Sequence, residues 1–68
     1  MKSVTGKAFS KLLEHNGWTL VRINGSHHIY GKPGSKIRIS LPIHRNDALK
    51  KGLLKHLLKI AEIPEDAP

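Results

Sequence analysis

The stretch Lys36-Ile37-Arg38-Ile39-Ser40-Leu41 alternates apolar and polar residues without a break. Successive side chains of a strand point to opposite faces, so the pattern reads as a half-buried strand over residues 36–41. Ile37, Ile39 and Leu41 form its dry face, and Lys36, Arg38 and Ser40 a wet, cationic one. Pro42 ends the strand, because proline brings no N–H to a ladder.

Working backwards, Lys32-Pro33-Gly34-Ser35 is a loop. Residues 27–31 form a short strand before it. Asn24-Gly25-Ser26 is a turn, since Asn-Gly readily takes positive φ. Residues 18–24 are rich in β-branched and aromatic side chains and make a further strand. On the N-terminal side a helix spans residues 6–16. Thr5 is its N-cap, with Val4 and Phe9 placed to close a hydrophobic staple. Phe9, Leu12 and Leu13 give that helix its apolar face, and Gly17 supplies a left-handed end.

Beyond Pro42, a connection leads to a second helix over residues 52–61. Asp47 could cap an earlier turn, but Gly52 argues for the later start. Leu53, Leu54, Leu57, Leu58 and Ala61 face one way, and Lys51, Lys55 and Lys59 recur every four residues on the other side. The order is α-β-β-β-α, an α+β fold. Its economical packing is a three-stranded antiparallel meander with both helices on one face. The other face stays open and carries Arg38.

The chain has 68 residues, no cysteine and a net charge of +7. Residues 1–68 are expected to be one domain, with 62–68 a loose acidic tail. Only Glu14 and Asp47 oppose all twelve cations before residue 62. Such a field attracts polyanions, nucleic acid first among them, although basic charge also serves solubility and suits an acidic protein partner. A domain this small has no room for a deep cavity, so a large ligand binds across its surface. The absence of cysteine excludes a disulfide framework and a thiolate metal site. No stretch approaches the ~18 apolar residues of a membrane span. The start, Met1-Lys2-Ser3-Val4, lacks the apolar run of a signal peptide. The expected location is the cytoplasm.

Histidines carry what chemistry there is, because carboxylates are scarce. Cleaving RNA without a metal needs a base for the 2′-OH and a cation for the charged transition state. Imidazole, with an ordinary pKa of about 6.5, suits the first role, and Lys or Arg the second. His27 and His28 are adjacent in a strand and point to opposite faces, so at most one of them is catalytic. His27 directly follows a Gly-Ser turn, where the backbone approaches a ligand closely and Ser26 can donate a hydrogen bond. A zinc site from His27, His44 and His56 is the metal alternative, but the spacing matches no metal pattern. No cofactor is expected. Trp18 and Tyr30 could stack on bases, yet a chain with three aromatics needs them for its interior. The Lys51/Lys55/Lys59 row suits a phosphate backbone and a solvated helix side equally.

Several motifs run in order through nearly the whole chain. They are Asn16-Gly17-Trp18; Val21-Arg22 followed by Gly25-Ser26-His27-His28-Ile29-Tyr30; Ile39-Ser40-Leu41-Pro42 followed by His44; Lys51-Gly52-Leu53-Leu54; and Ile60-Ala61-Glu62-Ile63. This series resembles the HicA-type (YcfA-like) mRNA interferase toxins. The resemblance implies a fold like a double-stranded-RNA-binding domain. It also implies mRNA as the substrate and neutralisation by a HicB-type antitoxin. The family's catalytic histidine follows Gly-Ser directly and matches His27, supported by Gly25 and Ser26. His44 matches a histidine after the strand proline. Arg22, Lys36, Arg38, His44, Lys51 and Lys55 are candidate RNA contacts. Leu53 stands where relatives often have Thr or Ser, so the second helix is expected to lack the side-chain cap that those residues would supply. The alternative reading is a non-catalytic RNA-binding module of double-stranded-RNA-binding type.

Overall fold

A computed structural model describes residues 3–64. The elements follow as α1 (Gly6–His15), β1 (Thr19–Asn24), β2 (His27–Gly31), β3 (Arg38–Pro42) and α2 (Lys51–Ala61). The sheet is an antiparallel meander in the order β1-β2-β3. This is the expected α-β-β-β-α, α+β fold. Both helices contact β3. Ile39 and Leu41 are buried beneath them, and Arg38 and Ser40 stay exposed on the opposite face.

Both helices end in the same way, for a shared reason. After α1, Gly17 takes φ +90°, its N–H donates to Glu14 O, and Trp18 N–H reaches back to Leu13 O at 3.0 Å. After α2, Glu62 takes φ +59°, its N–H donates to Lys59 O, and Ile63 N–H reaches Leu58 O at 2.9 Å. Each is a Schellman close, in which a left-handed residue satisfies two orphan carbonyls and turns an apolar side chain inward. Trp18 and Ile63 are accordingly buried. Ile63 thus belongs to the core, although the sequence reading assigned it to a loose tail from residue 62. Residues 65–68 of that tail lie outside the described residues.

At its start, α1 is capped as expected, with Ala8 N–H donating to Thr5 Oγ1 at 3.1 Å. Val4 packs against the core cluster that holds Phe9 and Leu13. α2 starts one residue before Gly52, and its N-cap Lys50 makes no side-chain capping bond. Asp47 does not cap it; its N–H instead donates to His44 O in a turn. The close approach of α1 to the end of β3 requires Gly6, where a Cβ would lie 2.5 Å from Pro42 O.

Two strand boundaries correct the sequence reading. β1 begins at Thr19 because Trp18 is spent on the helix end. β3 begins at Arg38, not Lys36. Its partner β2 stops at Gly31, opposite Arg38, so Lys36 and Ile37 have no strand to pair with. Ile37 N–H bonds the Ser35 hydroxyl instead, and the side chain is 50% exposed rather than part of the dry face. The first hairpin is also tighter than expected. Asn24 pairs with His27, so the loop is Gly25-Ser26 alone, and only Gly25 has positive φ (+64°). Glycine in the first of two loop positions is the pattern of a type II′ hairpin.

Candidate nucleic-acid interface

The register decides what shares the open face. His27, Ile29 and Gly31 alternate onto one side of β2, and their β3 neighbours are Pro42, Ser40 and Arg38. His28 and Tyr30 pair with Leu41 and Ile39 on the helix side. His27 is exposed and His28 half-buried. Across the face, His27 Nδ1 lies 3.2 Å from the Ser40 hydroxyl oxygen. Ser40 is diagonal to His27 in the ladder, within reach of a side-chain contact.

Strict alternation from Leu20 would turn Arg22 towards the helices. A β-bulge between Leu20 and Arg22 intervenes, so Leu20 is opposite Tyr30 and Arg22 opposite Ile29. One extra residue flips every following side chain to the other face. Arg22 and Asn24 therefore share the face of His27, and Ile23 leaves it. The burial pattern of β1, exposed at all six positions, carries no sign of this change.

The other candidates fall in different places. Arg38 is on the open face but at the far end of β2, four residues from His27, which is about 13 Å at strand rise. Its guanidinium covers Gly31, and Nη1 donates to Ile37 O at 3.2 Å. Lys36 is exposed in the loop before β3. His44 is exposed just beyond Pro42, the residue paired with His27. Ile43 N–H donates to Ser26 O at 2.8 Å and ties that segment to the Gly25-Ser26 turn. Lys51 and Lys55 are exposed on α2, which packs against the other side of the sheet, so the structure does not bring them to His27. Trp18 and Tyr30 are core residues, with Lys32 Nζ 5.6 Å above the Trp18 ring.

The sheet face around His27 is cationic. Glu14 lies on α1, Asp47 in the turn after β3 and Glu62 at the end of α2, so no described acidic residue shares the face. Among the described residues, no three His, Asp or Glu side chains gather as metal ligands; His27, His44 and His56 form no such group. No helix among them is long and apolar enough to cross a membrane. Ser40 is the site residue that sequence reasoning left unused. Its signal was present in the alternation that put it on the wet face of β3, but its partner depended on register.

Comparison with curated proteins finds no match. A family model described as the HicA toxin of bacterial toxin-antitoxin systems matches residues 6–63. That range runs from the first residue of α1 to the buried Ile63 that closes α2, and so takes in every element of the fold and the whole His27 face. With nearly all of its length matched, this chain belongs to the HicA toxin family.

Proposed function

We propose that the chain, as one toxin domain over residues 1–68, is a metal-independent endoribonuclease that cuts mRNA with His27 as general base. The observation that carries this reading is the placement of His27, exposed on a sheet face that no described acidic residue shares, with Ser40 at its Nδ1. An RNA strand crossing that face meets Arg22 beside the histidine and Arg38 further along. Nε2 of His27 takes the proton of a 2′-OH. The freed oxygen bonds to the adjacent phosphorus as the bond to the 5′-oxygen breaks, and the leaving oxygen takes up a proton. The products are a 2′,3′-cyclic phosphate and a 5′-hydroxyl. The Gly25-Ser26 turn next to His27 places the phosphate, and Arg22 stabilises its charge. A single base contributes typically ~10²–10⁴-fold, so turnover is slow.

The partner is a HicB-type antitoxin with an acidic surface, steered to the basic toxin and covering the open face. The cytoplasm, where mRNA is found, is the site of action.

The decisive experiment compares growth arrest and cleavage of synthetic RNA for the wild type and His27→Ala. Wild-type cleavage should leave cyclic-phosphate ends, persist in EDTA and fall by at least ~10²-fold in the variant. Coexpressed antitoxin should abolish the arrest. A 5′-phosphate product or loss of activity in EDTA overturns the mechanism. Unchanged toxicity and RNA affinity in His27→Ala would leave a non-catalytic RNA-binding module.

A further inference from the structure

We infer that Ser40 is the positioning residue for His27: its hydroxyl holds Nδ1 and thereby presents Nε2, unprotonated, to the open face. The inference rests on the general-base reading above and adds a specific role for a second side chain. An imidazole acts as a base only through the nitrogen that carries no proton. Which nitrogen that is follows from the bond the other one makes. His27 Nδ1 is 3.2 Å from Ser40 Oγ. Because a serine oxygen both donates and accepts, the contact fits either tautomer. Base action selects the one in which Nδ1–H donates to Oγ and the Nε2 lone pair is free. The same bond survives proton uptake, because Nδ1–H remains a donor in the imidazolium. Ser40 therefore holds the ring in one orientation throughout the proton transfer.

The fold is built for this contact. Ser40 is fixed on β3 between Ile39 and Leu41, both fully buried, so its backbone cannot drift. His27 is the first residue of β2, next to a two-residue loop, and its exposed ring has few other restraints. The antiparallel register places the two on the same face in diagonal positions. The role parallels that of the carboxylate behind the histidine of a hydrolase triad, with a neutral oxygen in place of a charged one, so its effect should be smaller.

The test uses the full chain and the variants Ser40→Ala and Ser40→Thr. Nitrogen NMR of the histidine ring reads the tautomer directly. In the wild type, neutral His27 should be mainly the Nδ1–H form. Ser40→Ala should move it towards the Nε2–H form, which free histidine favours. Ser40→Thr, which keeps the hydroxyl, should retain the wild-type balance. On a short synthetic RNA, Ser40→Ala should lower kcat roughly 10-fold with KM nearly constant, and Ser40→Thr should restore it. The melting temperature should not move, because Ser40 is exposed. A wild-type tautomer balance and rate in Ser40→Ala overturns the proposal, as does failure of threonine to rescue either readout. If the wild type cleaves no RNA, the nuclease reading fails, and the tautomer readout alone then decides the role of Ser40.

Discussion

Adjacent side chains in one strand meet opposite surroundings. His27 and His28 are neighbours, yet one faces solvent with Ser40 and the other faces the helices beside Leu41. Tyr30 shows the consequence of the buried side. Burial raises the pKa of its hydroxyl above the ordinary 10.0; a hydrogen bond with Ser10 works against the rise, and the charge of Glu14 adds to it. The folded chain therefore favours the neutral phenol. That preference stabilises the fold fully below about pH 10 and is lost as the pH rises through the higher folded value. Denaturant midpoints measured from pH 9 upwards should fall above about pH 10 for the wild type, and Tyr30→Phe should flatten the fall. An equally steep fall in the variant would assign it to other groups.

At the level of elements, the two helix ends make one motif with different residues. Gly17 takes its left-handed conformation freely, whereas Glu62 carries a side chain there. A non-glycine residue in that region costs roughly 1–2 kcal/mol, partly offset by the backbone entropy glycine loses on folding. Glu62→Gly should therefore raise stability by about 0.5–1 kcal/mol in thermal or urea unfolding. A loss of stability would mean that the Glu62 side chain makes a contribution that outweighs the strain. The start of α2 offers the complementary case. Lys50 at the N-cap makes no side-chain capping bond, and Leu53, three residues on, lies inside the helix and not at its cap. The helix is instead held by burial of Leu54, Leu57, Leu58 and Ala61.

Across the whole molecule, charge and shape divide the surface. The helices cover one face of β3, whereas β1, at the other edge of the sheet, leaves Leu20, Val21 and Ile23 substantially exposed. The cationic residues of the open face should bind RNA largely through phosphates. Arg22→Gln should weaken binding of an uncleavable RNA with little regard to sequence and lower the magnitude of the salt slope by about 1. Lys11→Gln, on α1 outside that face, should leave the slope unchanged. Equal effects from both changes would show that RNA is held by overall charge and not by this face.

Periodicity, with the turn and cap residues between the elements, determined the element order, the packing of both helices on one sheet face, and the separation of His27 from His28. These are local properties, because alternation at period two and apolar spacing near 3.6 follow from backbone geometry. The short motifs around Gly25-Ser26-His27 carried the family, which the matched model over residues 6–63 bears out. Only the tertiary structure decided the rest. Ile37 fits the alternation but has no strand opposite it, because β2 ends at Gly31. Ile63 is core because a helix close turns it inward. Arg22 reaches the face of His27 only through the bulge. Ser40 meets His27 only through register, across thirteen positions of sequence. Each of these depends on which residue of another strand or helix lies opposite, and that pairing is settled when the elements pack together.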